Sequence, residues 1–394
     1  MKHGIIVQHG HNPELRSDFV RSDITAIIGF VPPADWPEGY SKGDFIEVVL
    51  SREAELWAHP LVDSFDDASK QGVRNYFVNG GISLHIFALC IESIDDLCST
   101  VDLETTMTPL LERLREEEDI SILTLPAAAY FPISFMKGNQ VISDAENLYS
   151  FLLLHCREMN NRFLIIDPPM GLHGEYLQNW VKRFRTNNQN TSSYGALYYP
   201  WLWERDKVFP PSAAMAGVFV RVDLEHRPIG IHWPPANVHI RGVTHLDIEL
   251  NWSEASELAE AHINPFVIQP GQGINVFGAR TLSFDPAFQF INSRRILNLV
   301  VEQIRRDNLW AVFETHNPHL WNVLEREIRY RLDKFWSAGL LTIGNTGKKY
   351  EVTCGSENNP PAVRDAGYVN VEVLLQPVGA TEMILIDLSI GSNT

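Results

Sequence analysis

Four histidines, His226, His232, His239 and His245, recur within twenty residues and are the first place where this chain could hold a metal ion. Their gaps of six or seven residues match neither the i, i+4 face of a helical site nor the i, i+2 face of a strand. They read as surface or loop histidines, and no metal is expected. Glu314-Thr315-His316 offers an acid and a base side by side, but no HExxH, nucleophile elbow or paired-cysteine arrangement accompanies it, so no catalytic residue is assigned. Gly271, Gly273 and Gly278 have the look of a dinucleotide loop. Such a loop follows a strand and opens a helix, with phosphates at the helix N-terminus. Here the glycines run into another apolar segment and a Thr-Leu-Ser turn, so the expected role is positive φ or close backbone approach, and no cofactor is expected. Four cysteines, at 90, 98, 156 and 354, form no CxxC pair and read as reduced, mostly buried thiols.

The charges that stand out are Arg280, Arg294 and Arg295. Arginines on turns and helix starts often only solvate a surface or make weak ion pairs. A guanidinium fork can also hold a carboxylate bidentately and fix the register between subunits. Residues 290 to 336, which include Arg305 and Arg306, hold eight basic side chains against six acidic ones, in a chain of net charge -17. That reversal suits a face meeting an acidic partner. It equally suits a solvated helix face with i, i+4 pairs such as Glu325 with Arg329 and Glu327 with Arg331.

The elements that must position these residues alternate. Ile24 to Val31, Leu84 to Ile91, Ile120 to Leu125 and Phe163 to Asp167 read as strands. Glu104 to Glu118 and Asp144 to Glu158 read as helices, the second with Asp144 as N-cap. This is the pattern of an α/β layer structure with a doubly wound or mixed sheet. Pro and Gly punctuation thickens from Phe209 to Gly273, which places a domain boundary near 270. Beyond it, Arg295 to Trp310 carries Ile296, Leu299, Val300 and Ile304 at the spacing of one helix face. His319 to Trp336 repeats the device with Leu320, Leu324, Ile328, Leu332 and Phe335. Val369 to Leu375 and Met383 to Ile390 are alternating strand candidates that these helices would cover. With 45% hydrophobic residues the chain can bury two or three cores. Its acidity argues against a nucleic-acid-binding surface, which needs clustered cations. No segment approaches the ~20 apolar residues of a membrane span. The first residues lack a signal-peptide core, so synthesis in the cytoplasm and no direct membrane insertion are expected.

The stretch Gly271 to Asn298, GQGINVFGARTLSFDPAFQFINSRRILN, resembles the C-terminal domain of contractile tail sheath proteins, which wrap the tube of contractile phage tails, R-type pyocins and extracellular contractile injection particles. Further matches follow in family order: Tyr194 to Leu202 (YGALYYPWL), Pro210 to Gly217 (PPSAAMAG), Ile263-Asn264-Pro265, Phe313 to Asn317, and Glu382 to Ile390 (EMILIDLSI). Single matches of this kind are weak, and their order over some two hundred residues is what carries the resemblance. Two departures stand beside it: the chain opens His3-Gly4-Ile5-Ile6-Val7 where family arms open Pro-Gly-Val-Tyr, and Phe277 stands where Trp is common.

The resemblance implies an outer α/β domain, 21 to 270, inserted into an inner, tube-facing assembly domain, 271 to 380, whose small sheet is covered by helices. It implies an N-terminal arm, 1 to 20, and a C-terminal arm, 381 to 394. Ile5, Ile6 and Val7 at one end and Met383, Ile384, Leu385 and Ile386 at the other would be strands exchanged between subunits. Arg280, Arg294, Arg295, Arg305 and Arg306 would make intersubunit or tube contacts. The implied partners are other copies in six-fold rings stacked helically, an inner tube protein, and baseplate and terminator or cap proteins. The particle would assemble in the bacterial cytoplasm. A non-contracting baseplate or collar paralogue, and an α/β enzyme with a site in the outer domain, are the alternatives.

Overall fold

The computed structural model describes residues 19–136, 140–226, 229–344 and 347–380. The arm residues Ile5, Ile6, Val7, Met383, Ile384, Leu385 and Ile386 lie outside these. A mixed sheet of eight strands organises the first three quarters of the chain. In chain order its strands are β1 (Ile24–Val31), β2 (Phe45–Leu50), β3 (Leu84–Cys90), β4 (Ile120–Thr124), β5 (Phe163–Ile166), β6 (Gly195–Tyr199), β7 (Ile263–Gln269) and β8 (Gly273–Val276). Across the sheet they run β8-β7-β6-β5-β4-β1-β3-β2. The six inner strands are parallel, and β2 and β8 close the edges antiparallel. Strand β8 carries this sheet past the boundary expected near 270.

Both faces of the sheet are covered, which is why β1 reads as an unbroken apolar run. Ala26, Ile28 and Phe30 point into one core with α2 (Thr100–Glu116), α3 (Glu146–Met159) and α4 (Gly174–Asn187). Ile27 and Val31 point into the other with α1 (Asp67–Val78) and α5 (Ser212–Glu225). Each fully buried Leu or Phe on these faces contributes ~1.5–3 kcal/mol relative to exposure.

Helix α3 starts later than its sequence suggests. The N-cap position is Ala145, with no side-chain cap, and not Asp144. Here Ser143 Oγ accepts the Ala145 N–H at 3.2 Å and the Glu146 carboxylate accepts the Ser143 N–H at 2.8 Å, so this reciprocal pair fixes the start one residue later than a cap at Asp144 would.

Helix α5 is buried nearly all round, because its small residues let it lie flat on α1. A Cβ on Gly217 would meet the Tyr76 carbonyl oxygen at 2.3 Å. Its N-terminus is held by Asp167, the acid that ends the Phe163 to Asp167 run. Asp167 Oδ1 accepts the Ser212 N–H at 2.7 Å. Full burial pushes this carboxyl up to about 7.

Helix α6 (Trp252–Glu260) still belongs to the large unit, leading into β7 with Leu258 packed in the first core. The chain after β8 forms a second unit, with α7 (Ile291–Asp307) and α8 (Pro318–Ser337). They pack on an antiparallel sheet of β9 (Leu341–Thr342), β10 (Tyr350–Thr353) and β11 (Glu372–Pro377), in the order β9-β11-β10. Ile296, Leu299 and Val300 from α7 meet Ile328, Leu332 and Phe335 from α8 in its core, as the helical spacing predicts. The chain start belongs here too: Phe19 stacks against Phe335, with ring centroids 5.2 Å apart, and the Val20 N–H donates to Gln303 Oε1 at 2.7 Å.

Candidate functional site

Helix α7 joins the two units, and its arginines do the joining. Arg295 lies along α5 and donates to both oxygens of Asp223, at 3.1 and 2.6 Å. It also donates to the Ser22 carbonyl at 3.0 Å, and Ser22 Oγ donates to the same carboxylate at 3.2 Å. Chain start, α5 and α7 are thereby tied at one buried carboxylate. Arg294 is also buried. Its Nε donates to Asn298 Oδ1 at 3.0 Å, and its guanidinium lies over the rings of Tyr194 and Phe288, 4.4 and 4.9 Å from their centroids. Burial lowers its pKa. Two of the five arginines expected at intersubunit or tube contacts, Arg294 and Arg295, thus have partners inside this chain.

Arg280 sits half-buried in the strap that leads from β8 to α7. Its N–H donates to Asn264 Oδ1 at 2.7 Å, and its carbonyl accepts from Asn264 Nδ2 at 2.8 Å. Gly278 lets this crossing happen, since a Cβ there would stand 2.8 Å from Asn264 Oδ1. Gly271 and Gly273 flank the β7–β8 turn with φ of +76° and +80°, the positive-φ role their spacing suggests. Arg185 of α4 closes the strap, donating to the carbonyls of Leu282 and Ser283 at 2.9 and 3.0 Å.

The basic excess between 290 and 336 is largely met within the chain. Arg305 pairs with Glu302 and Glu118 at 2.8 and 2.9 Å. Arg306 pairs with Glu302 and, at 2.7 Å, with Asp119. These contacts bind the end of α7 to the turn between α2 and β4 of the large unit. Arg329 pairs with Glu325 at 2.7 Å, the expected i, i+4 contact. Arg331 of α8 pairs across to Asp307 at the end of α7, at 2.5 Å.

The remaining chemistry candidates separate in space. His226 stacks on Trp233 at 4.3 Å and His245 on Trp203 at 5.2 Å, and His232 contacts the Ile229 carbonyl. Among the described residues no group of three His, Cys, Asp or Glu could hold a metal ion. His316 packs edge-on against Trp321, and no hydrogen-bond partner of its ring nitrogens is found among the described residues. Cys90, Cys156 and Cys354 are buried free thiols and Cys98 is half-buried.

One surface had no counterpart in the charge pattern. At the tip between α7 and α8, Leu309, Trp310, Val312 and Phe313 are exposed, Phe313 completely. Large contiguous apolar exposure of this kind marks interaction sites. The run LWAVF after a charged helix is its sequence signal.

The structure matches the helical sheath of the anti-feeding prophage in its contracted state over 98% of both chains, with a TM-score of 0.72 and 20% identity. It matches a chain of the six-fold symmetrised baseplate of the same particle equally well, over 100% of this chain and 99% of that one, with a TM-score of 0.72 and 20% identity. The tail sheath protein of Enterobacteria phage T4 is 23% identical over 364 residues, which cover 91% of this chain and 48% of that protein. The chain therefore spans about half the length of that curated relative. The model of the phage tail sheath protein central domain matches residues 143–282, and that of the phage tail sheath C-terminal domain matches 283–390. The chain belongs to the phage tail sheath family.

Proposed function

We propose that this chain is the structural subunit of a contractile sheath, polymerising as stacked six-fold rings around an inner tube and contracting to drive that tube through a target membrane. The observation that carries the reading is the small sheet. Among the described residues β9 and β10 each pair only with β11, beside the unit that holds the chain start, which makes β9 and β10 the positions at which a further strand would pair. Open edges are aggregation liabilities unless a strand is added. Ile5 to Val7 and Met383 to Ile386 of neighbouring copies are the strands we assign to them. The apolar tip at Leu309 to Phe313 adds a second contact surface, facing another copy or the tube.

We place the break between outer and inner domains at 282/283, where the two family models meet, because Leu282 still packs in the large core. Contraction is a rigid-body change between two subunit packings, with the arms as connected hinges, and needs no catalytic site in the chain. Baseplate and terminator proteins would cap the polymer, which would assemble in the bacterial cytoplasm. The equally good match to a baseplate chain favours one second reading, a ring-forming paralogue next to the baseplate. Sedimentation of the full chain and of a chain lacking Glu382 to Thr394 tests the strand exchange. The truncated chain should lose the polymer and keep its helical content, and polymers of normal length from it would rule the exchange out.

A further inference from the structure

The large sheet reverses its winding between β1 and β4. From β1 the chain crosses by β2 and α1 to β3 on one side, then returns by α2 to β4 on the other. Open α/β sheets take up ligands at such a switch point, outside the carboxyl ends of the strands. A cavity of about 880 Å³ opens there, within the size range of small-molecule sites.

Its chemistry excludes the usual phosphate. The start of α1, where a phosphate would sit, is already filled by Asp66, whose carboxylate accepts the N–H groups of Phe30 and Ser69 at 2.9 and 2.8 Å and the Ser69 hydroxyl at 2.7 Å. The lining charges cancel, three acids against three bases. Two of the bases are engaged, Lys70 with Asp67 at 3.2 Å and Arg74 with Glu204 at 2.7 Å. The floor is apolar, with Phe30, Ile91 and Phe131 buried beneath it. Two aromatic rings stand at the rim. Trp57 is 52% exposed and its indole N–H donates to Glu53, while Tyr130 is 42% exposed and is held edge-on by Trp201 at 5.0 Å. Gln71, Glu92 and Ser93 add hydrogen-bonding groups beside them.

We propose that this cavity binds a neutral saccharide of one or two rings, its C–H face stacked on Trp57 and Tyr130 and its hydroxyls hydrogen-bonded to Gln71, Glu92 and Ser93. A neutral ligand fits the cancelled charges, and a polyol with an apolar face fits a rim that alternates rings with donors and acceptors. An extended peptide fits less well: one wall is α1, whose backbone groups are used within the helix, and the edge strand that lines the cavity, Lys207–Phe209, is only three residues long and offers little main-chain pairing.

Saturation-transfer NMR of the full chain against methyl glycosides of glucose, galactose, mannose and N-acetylglucosamine, followed by a glycan array, tests the site. At least one neutral sugar should bind with a Kd of ~1 mM or tighter. Trp57→Ala and Tyr130→Ala should each weaken it about tenfold, a loss of ~1.4 kcal/mol. Both side chains are half exposed, so unchanged circular dichroism will show the variants folded. The proposal fails if no neutral sugar binds, if binding survives the double variant, or if the array selects only anionic glycans. Displacement of the sugar from another part of the chain, or capture of peptides and no sugar, would also overturn it.

Discussion

Arg295 grips Asp223 through both guanidinium nitrogens, with the two side chains 4% and 5% exposed and 72 residues apart in sequence. Neither charge can be left alone there, because an unpaired buried charge costs far more than the pair returns. Arg295→Ala should therefore lower stability by ~3–5 kcal/mol in urea unfolding, as should Asp223→Ala. The double variant should lose less than the sum, since it strands no charge. Additive losses would mean that the two residues act separately.

Gly217→Ala tests the flat contact of α5 on α1. The added methyl meets backbone, the Tyr76 carbonyl, which cannot rotate away as a side chain would. Although alanine is the better helix former, overpacking should win by ~1–3 kcal/mol. A rise in Tm would show that the helices separate freely.

Stability should fall as pH rises through the Asp167 window. Burial raises this carboxyl from the ordinary aspartate range to about 7, so the folded chain holds a proton that the unfolded chain has already released. Between roughly pH 4 and 7 the folded state binds more protons, and the unfolding free energy drops with pH. Asp167→Asn keeps the oxygen that accepts the Ser212 N–H and should flatten this slope. Some slope will remain, because burial also raises Asp66. An unchanged profile in the Asn variant would place the titration elsewhere.

Arg305→Glu with Arg306→Glu should destabilise the subunit before it affects any partner. The new carboxylates would face Glu118, Asp119 and Glu302 in place of the present ion pairs. Partial exposure keeps the cost to ~1–2 kcal/mol, shrinking as salt screens the repulsion. Wild-type Tm at low salt together with impaired assembly would instead return these residues to an interface.

Much of the large unit was legible because its signals are local. Strand β1 has the bounds its apolar run suggests, and β3, β4 and β5 lie within one residue of theirs. The stripe Leu320, Leu324, Ile328, Leu332 and Phe335 is the buried face of α8. Helix α7 begins at Ile291, ahead of the expected Arg295, because the strap from Gly278 to Phe290 delivers the chain to it through the Ile291 N–H to Ala279 carbonyl bond. The arginines stood out by type, yet their partners did not. Asp223 and Glu118 are distant in sequence from the residues they hold, and only the fold brings them together. Arg331 likewise has a partner across the helix pair, Asp307, that the i, i+4 spacing could not show.

The most direct test of the account is electron microscopy of the purified full chain at increasing concentration. A subunit that exchanges terminal strands and carries an apolar tip makes head-to-tail contacts that need not close, and should give stacked rings or striated tubes whose length grows with concentration. A monodisperse monomer at every concentration would contradict the assignment.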